Sequence, residues 1–463
     1  MKRYFLAILP IVLTITTVSG QIQLPKALER PINLALEKSK DIRNKELEVE
    51  KTHLEHKAVK SKYIPKIEAS GAFAYLDSHI TFDIPGFALP ITGYELFADK
   101  TKIHNRAKAL HGGVTAKSVL FSGLQIHHGA KALEQKAKGD ALLIETDKDD
   151  LIVDVVTSFD KIKFIQASEQ LIEDSRKRLE KEELRVNAAI ENGLAVPFDR
   201  DKITLARLEL ESKQTELEES KNLLFQKISY LTGLSTDEIE EISYRLDPID
   251  LADNLTVENK QELEALEHYQ KASEHVLKKE KGTFLPQAAA FAGVSYSGIF
   301  NGTTDFNIPY LPSGLPQPRL NLNELSLSPS LMAGVVLKWE IFGGMERKHK
   351  IDQAKVNVEQ LENKLADSRD KLNLLLLQKL ATYRTFDKKI DLANQQERVA
   401  QNALTLAGKQ YVQGLISINQ RLEAENDFVK AAQNKTQILI SQREAALEAS
   451  KVTGKLSEKI QFN

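Results

Sequence analysis

The chain has no cysteine among its 463 residues. Disulfide bonds, thiolate metal sites, cysteine nucleophiles and a lipid attached to an N-terminal cysteine are therefore excluded. A charge excess is also missing: 63 Lys and Arg stand against 65 Asp and Glu, for a formal net charge of −2. The net charge of the chain therefore gives no reason to expect that it binds nucleic acid. With 42% hydrophobic and 28% charged residues the chain can bury a large apolar core.

Long hydrophobic runs are nearly absent. The apolar run from Tyr4 to Val18 follows two basic residues and precedes small residues at positions 19 and 20, a pattern typical of a cleaved secretory signal over residues 1–20. An uncleaved anchor is the alternative, although about 15 apolar residues interrupted by Pro10 are short for a spanning helix. No other stretch approaches such a span. A mature chain that enters a membrane is therefore expected to do so as a β-barrel.

Two long stretches, 124–191 and 345–413, lack proline, and they stand 221 positions apart. The same offset superposes the residues that interrupt the chain: Pro65 on Pro286, Gly123 on Gly344, Gly193 on Gly414 and Gly233 on Gly454. The chain is therefore predicted to be a tandem duplication.

Apolar residues inside both stretches recur at spacings of three and four, which indicates one stripe of a helix. In the first copy they are Leu151, Val155, Val156, Phe159, Ile162 and Ile165, and in the second Leu372, Leu376, Leu377, Leu380, Tyr383 and Phe386. A helix over 124–191 would be about 100 Å long, since each residue adds about 1.5 Å. A globular core needs no helix of that length.

Each repeat also contains two segments with strand periodicity. A helix over about 27–62 ends before Pro65, and residues 66–75 then alternate apolar with polar. Further strands are predicted over 112–121, 287–296 and 331–342, with external loops at 76–110 and 297–330. Returning helices follow at 197–232 and 417–453. The first repeat spans 21–233, a connector 234–255, the second repeat 256–454 and a tail 455–463.

Strands of about ten residues are long enough to cross a membrane when tilted. Lys117 and Lys338 fall on the polar face, which is the expected barrel lumen. Four strands cannot close a barrel, and open sheet edges are not tolerated in lipid. Two chains would give eight strands, and three would give twelve and a water channel. The predicted fold is mainly α with transmembrane β: a trimeric twelve-stranded barrel continued by a barrel of long helices.

The sequence resembles the TolC-type outer-membrane efflux family over about residues 27–454. The resemblance rests on the motifs at 119–123 and 340–344 before the long helices, on those at 192–194 and 413–417 at the far turns, and on their single offset. It implies a homotrimer in outer-membrane lipid, with its α-helical barrel in the periplasm. Such a trimer works as the exit duct of a tripartite efflux or type I secretion system. A periplasmic adaptor (membrane fusion) protein and an inner-membrane transporter would be its partners.

The far turns supply the candidate docking residues for the adaptor. These are Gly193, Leu194, Ala195, Val196, Gly414, Leu415, Ile416 and Ser417. Each glycine is expected to end a helix in a left-handed conformation, and Ser417 with Gln420 fits a capping box. Turn chemistry alone would explain the same residues.

The resemblance also implies a closed periplasmic opening that is narrowed by acidic side chains just past the second turn. The matching positions are Gln420 and Glu423, with Asp199 in the first repeat. Arg200 and Arg421, equivalent under the offset, are expected to pair with Asp199, Asp201 or Glu423 and hold this gate shut. A solvated helix face is the alternative for each of them.

The residues suggest no enzyme, and neither a cofactor nor a metal site is predicted. The adjacent His127 and His128 lack acidic or cysteine neighbours, and polar helix surface explains them more simply than zinc. The competing hypothesis is a secreted or periplasmic coiled-coil structural or adaptor protein, in which the strand pairs would form a soluble β-domain.

Overall fold

The computed structural model describes residues 22–83, 86–91, 93, 95–96, 100–252, 254–309, 311 and 314–463. The predicted signal over 1–20 lies outside them. In chain order the described elements are β1 (Ile22–Leu24), α1 (Glu29–Lys38), α2 (Lys40–Lys60), β2 (Lys66–Phe82), β3 (Phe87–Ala88), β4 (Glu95–Leu96), β5 (Thr101–Phe121), α3 (Gln125–Glu191), α4 (Pro197–Thr232), α5 (Thr236–Glu241), α6 (Gln261–Lys281), β6 (Gln287–Asn307), β7 (Arg319–Lys338), α7 (Glu346–Val412), α8 (Ile418–Val452), α9 (Leu456–Lys459) and β8 (Ile460–Phe462).

The two longest helices repeat at the offset found in the sequence. α3 and α7 have 67 residues each, and both of their ends differ by 221 positions. Each is therefore about 100 Å long at about 1.5 Å per residue. None of the described helices is both long enough and apolar enough to cross a lipid bilayer.

The chain divides into two compact units. The first comprises the described residues of Met1–Thr52, Gln135–Lys271 and Glu359–Asn463, and the second comprises His53–Glu134 and Ala272–Val358. The main core of the first unit is formed by helices α1, α3, α4 and α8 together with the connector between the repeats. Its buried side chains include Ile32, Val156, Phe159, Ile228, Ile239, Ile249 and Leu447. The short parallel pair β1 and β8 brings the two ends of the described chain together.

The second unit contains a four-stranded antiparallel sheet in the order β2-β5-β6-β7. Its strands have 17, 21, 21 and 20 residues. The loops are therefore shorter than the predicted segments 76–110 and 297–330, because most of both segments is strand. Apolar residues change from one face to the other within these segments, as between Leu322 and Leu325 in β7, so no single alternation runs along the strand. Backbone hydrogen bonds between paired strands form whatever the side chains are.

The two faces of this sheet differ in polarity. The first, called here the apolar face, exposes Ile67, Phe73, Tyr75, Val114, Val294, Leu331, Val335 and Leu337. The opposite face carries Lys117 and Lys338. Lys117 lies opposite Phe291 and Lys338 opposite Gln287, and these two residues of β6 are four positions apart. Both lysines therefore lie on one face, because side chains alternate with a period of two along a strand.

The helix expected over 27–62 is broken into α1 and α2. Ser39 between them has an extended backbone, with φ −61° and ψ 108°. Its hydroxyl accepts a hydrogen bond from the Ile42 amide at 3.3 Å. Ser39 therefore caps α2, the role in which serine is favoured over helix interiors.

Candidate functional site at the helix turns

Both long helices end in the same turn. Gly193 has φ +75° and Gly414 has φ +69°. The amide that follows each glycine donates to a carbonyl five residues back, at 2.7 Å in the first repeat and 2.9 Å in the second. This is the Schellman arrangement, in which a left-handed residue satisfies the last carbonyls of a helix. No other atoms lie within 4 Å of an added Cβ at either glycine, so backbone conformation alone requires glycine here.

The returning helices begin differently in the two repeats. In the second, the Ser417 hydroxyl accepts from the Gln420 amide at 3.4 Å, and Gln420 Oε1 accepts from the Ser417 amide at 3.0 Å. The predicted capping box is confirmed. In the first repeat the cap position is Val196, whose side chain has no acceptor. There the Asp199 carboxylate accepts from the Val196 amide at 3.4 Å. The side chains of Gln420 and Asp199 thus cap the N-termini of α8 and α4.

Apolar side chains cover the surface of both turns. Leu194 is 83% exposed and Leu415 is 67% exposed, and Val196 is also exposed. Ala195 and Ile416 are half-buried beside them. The predicted docking residues therefore present a small apolar surface in each repeat, and an exposed cluster of this kind marks an interaction site more often than a single exposed leucine does.

Beneath the turns, a small apolar cluster joins α3, α4 and α8. Its buried side chains are Ile172, Leu179, Val186, Ile203, Leu210 and Ile418. Tyr411 of α7 packs against it. The four helices that end or begin at the turns are thus fixed to one another within the first unit.

Arg421 lies in this packed region and not on the surface. Its side chain is 4% exposed, and Nη1 donates to Glu425 Oε2 at 3.0 Å. Nε lies 3.6 Å from a carboxylate oxygen of Glu182 on α3. The expected pairing of Arg421 with Asp199, Asp201 or Glu423 was wrong. Glu425 follows Arg421 by one helical turn on the same face, whereas Glu423 points elsewhere and is exposed.

Glu425 is the centre of this ionic cluster. Arg178 of α3 donates to it through Nη2 at 2.7 Å and Nε at 3.0 Å, and Ser175 donates at 2.6 Å. Burial pushes the pKa of Glu425 upward. The hydrogen bonds from Arg178 and Ser175, with the charges of Arg178 and Arg421, outweigh that effect and hold the pKa below its ordinary value. Glu425 is therefore an ionised carboxylate with four close donors.

Arg200, the counterpart of Arg421, has different surroundings. Its side chain is 46% exposed and donates to its neighbour Asp201 at 2.9 Å. The structure therefore brings Arg421 into a buried cluster and leaves Arg200 and Glu423 on the surface. The sequence reasoning missed Glu182, Glu425 and Arg178. One signal was available, since Arg421 and Glu425 stand four residues apart on a helix.

Residues 254–455 match the family model described as outer membrane efflux protein. The matched segment contains all of the second repeat, and the first repeat has the same long helix and turn. The resemblance to the TolC-type outer-membrane efflux family is confirmed by this match and by the folds of solved channels. A comparison with curated proteins found no match.

Three solved structures illustrate the likeness of fold. A membrane protein from Pseudomonas aeruginosa has a TM-score of 0.72 and 14% identity, over 92% of this chain and 93% of that one. The CmeC outer membrane channel of Campylobacter jejuni has 0.69 and 13%, over 94% and 88%. The outer membrane protein VceC of Vibrio cholerae has 0.67 and 12%, over 93% and 96%. The likeness of fold thus extends well beyond the matched segment, over 92% to 94% of this chain.

Proposed function

We propose that the chain is the outer-membrane exit duct of a tripartite export system and that it works as a homotrimer. The family match over 254–455 carries the proposal. The duct is passive: substrates enter at the periplasmic end and leave outside the cell. The coiled-coil structural or adaptor alternative is not favoured, because solved outer-membrane channels share the fold over more than nine tenths of this chain.

The edges of the sheet support assembly with further copies. Within the described chain, β2 and β7 pair on one side only. Their outer edges have 17 and 20 residues. Backbone groups at an open edge in lipid would each cost several kcal/mol, so another chain must pair with them. Three copies give about twelve strands, enough for a water-filled lumen.

The different polarity of the two faces supports an assignment of the lumen. The apolar face meets lipid, and the face with Lys117 and Lys338 lines the channel, as expected for an outer-membrane barrel. Leu331 and Met332 provide a matched test, because they are adjacent in β7, both exposed, and on opposite faces. Leu331→Lys should cost about 2–4 kcal/mol on the lipid side, whereas Met332→Lys should be tolerated in the lumen.

The measurement is outer-membrane fractionation with heat-modifiable gel mobility of the trimer. We expect the Leu331→Lys chain to be depleted from outer membranes several-fold, and Met332→Lys to assemble as the unchanged protein does. Equal assembly of both variants, or unchanged protein in the soluble fraction, would refute a membrane-spanning sheet.

The exposed apolar turns are the proposed contact for the periplasmic adaptor, which links the duct to an inner-membrane transporter. Leu194 and Leu415 are the most exposed of the large apolar side chains in the two turns. A photo-crosslinking residue placed at either position in cells should capture the adaptor. The same residue at exposed Leu374, far along α7 from the turns, should not. Capture at all three positions with equal yield would remove the turns as the docking surface.

The gate proposal now rests on Glu423. Of the other gate candidates, Asp199 and Gln420 cap helices, Arg200 pairs with Asp201, and Arg421 is buried. Glu423 is exposed, and Arg421 is occupied by Glu425 and Glu182. Three exposed carboxylates around a pore would favour cations. Glu423→Ala should raise single-channel conductance in planar bilayers and weaken cation preference, while Glu444→Ala, exposed farther along α8, should change neither. Unchanged conductance and selectivity would remove Glu423 from the gate.

A further inference from the structure

Three side chains with metal-binding donors meet on the apolar face of the sheet, beyond its apolar residues. They are Asp77 and His79 on β2 and His104 on β5, and one donor atom from each lies within 4.8 Å of the other two. We propose that these residues form a binding site for a divalent transition-metal ion such as Zn²⁺ or Cu²⁺.

The strand register brings these donors together. His79 and His104 are directly paired across β2 and β5. Asp77 precedes His79 by two residues, so all three side chains point to the same face. Paired residues on neighbouring strands have Cβ atoms about 4.5–5.5 Å apart, which lets two imidazoles share one ion. Backbone pairing thus sets the spacing of the donors.

The distances suit a compact site. The imidazole rings of His79 and His104 are stacked, with centroids 3.9 Å apart. His104 Nε2 lies 2.7 Å from Asp77 Oδ1, and His79 Nδ1 lies 3.9 Å from the same oxygen. Ligands of tetrahedral zinc at bond lengths of about 2.0–2.1 Å are roughly 3.3 Å apart. Small side-chain rotations would therefore complete the three-ligand arrangement.

The chemistry of the donor set selects the class of ion. Two imidazole nitrogens and one carboxylate oxygen suit Zn²⁺, Cu²⁺ and Ni²⁺ better than Ca²⁺ or Mg²⁺, which prefer oxygen ligands. Asp77 and His79 are exposed and His104 is half-buried, so water can fill the remaining coordination positions. A metal ion binds the neutral form of an imidazole.

Nearby positive charge does not prevent binding. Arg106 is paired across the strands with Asp77. Its guanidinium, however, donates to Asp305 at 2.9 Å, and Asp305 is also contacted by Arg319. The charge of Arg106 is therefore compensated by a carboxylate outside the donor set, and Asp77 stays available to a cation.

The site lies outside the lipid in the proposed membrane arrangement. Tyr75 ends the aromatic part of the apolar face on β2, and Asp77 and His79 are the next two side chains on that face. His79 is about 13 Å farther along the strand than Tyr75, at about 3.3 Å per residue. An ion arriving from outside the cell would reach it.

The test uses the full-length protein in detergent, titrated with ZnCl₂ or CuCl₂ alone. A His275→Ala background removes a separate histidine pair, since His128 and His275 place their Nδ1 atoms 3.3 Å apart. In that background, His79→Ala and His104→Ala are compared with His111→Ala. His111 is a matched control, because it lies on β5 and hydrogen-bonds Ser297 on the other face.

We expect one Zn²⁺ per chain by calorimetry, with affinity lowered at least about tenfold in His79→Ala and His104→Ala and unchanged in His111→Ala. The Cu²⁺ electron paramagnetic resonance spectrum should show hyperfine coupling to two nitrogens. All variants should keep the heat-modifiable gel mobility of the parent, which separates lost ligands from lost folding. Absence of binding in the parent, or equal binding in all three variants, would overturn the proposal. Neither outcome would affect the proposed duct.

Discussion

Arg200 and Arg421 occupy the same position in the two repeats and have opposite environments. Arg421 is 4% exposed and contacts Glu425 and Glu182, whereas Arg200 is 46% exposed and contacts the adjacent Asp201. The backbone around both is the same, with a glycine of positive φ and a returning helix. Duplication has therefore preserved the turn and changed the charges packed behind it.

The sequence explains the difference. At the offset of 221, the counterpart of Glu425 is Thr204 and that of Glu182 is Ala403. Neither counterpart can pair with an arginine. α8 therefore has a buried ionic contact with α3 through Glu425. α4 packs on α3 through the apolar cluster that contains Ile203 and Leu210, and its ion pairs with α3, such as that of Arg207 with Glu183, are more exposed. The two equivalent helices thus differ in whether a charged contact with α3 is buried.

The largest effect is expected from replacing each arginine in turn. Arg421→Ala leaves buried carboxylates short of a partner and should destabilise the local structure by about 3–5 kcal/mol. Arg200→Ala removes one exposed pair and should change stability by less than about 1 kcal/mol. Hydrogen–deuterium exchange of peptides covering 175–186 and 418–428 in the detergent-solubilised protein measures both.

A double variant separates charge from packing. Because Arg421→Ala and Glu425→Ala remove two partners of one contact, the double variant should destabilise less than the sum of the single ones. Additive effects, or equal protection in Arg421→Ala and Arg200→Ala, would contradict a buried ionic cluster.

Acidification should weaken the contacts of Glu425 with its donors, with a smaller effect than the substitution of Arg421. The donors around Glu425 hold its pKa below the ordinary value of 4.5. A group whose folded pKa is depressed contributes stability that is present above its unfolded pKa and lost as pH falls through the folded pKa. Exchange in 418–428 should therefore rise below about pH 4.5 more than expected from intrinsic exchange rates. Glu425→Gln should remove that extra rise, and its persistence would assign the effect to another group.

The repeat and its long helices could be predicted because proline, glycine and apolar spacing recur at one offset. Gly193, Gly414 and the capping pair Ser417 and Gln420 are local signals, fixed by the conformation of a few successive residues. The strand ends were missed because the apolar residues change faces beyond Tyr75: Leu76, Ile80 and Phe82 lie on the opposite face of β2. Their pairing depends on backbone hydrogen bonds, which leave little trace in the sequence.

The ionic cluster was harder to predict than the turns. Glu182 and Arg178 come from α3 and meet Arg421 and Glu425 only after α8 has packed against it. Glu423 and Glu425 are both close to Arg421 in sequence, and helical geometry favours the residue four positions away over the one two positions away. Which arginine would be buried could not be read from the repeat, since both repeats have arginine there.

The two turn glycines should respond alike, in contrast to the two arginines. Gly193→Ala and Gly414→Ala each force an alanine into a left-handed conformation, at about 1–2 kcal/mol. Both positions are open to an added methyl group, so no clash adds to that strain. Exchange at residues 186–198 and 407–420 should increase by similar factors. A much larger effect in one repeat would show that the turns have diverged as the ionic contacts have.

The smallest effect is expected at the helix caps, where the repeats differ in one side chain. Ser417→Ala removes a hydroxyl that accepts from the Gln420 amide, and should destabilise α8 by about 1 kcal/mol. Val196 has the extended backbone of a cap residue, with φ −111° and ψ 152°. Val196→Ser supplies the missing acceptor and should stabilise α4 by a comparable amount. Exchange near 197–203 should slow, and unchanged exchange there would mean that Asp199 already satisfies the end of the helix. Val196 is also a proposed docking residue. If Val196→Ser stabilises α4 but lowers the yield of adaptor crosslinking at Leu194, the apolar side chain serves binding of the adaptor and not stability of the helix.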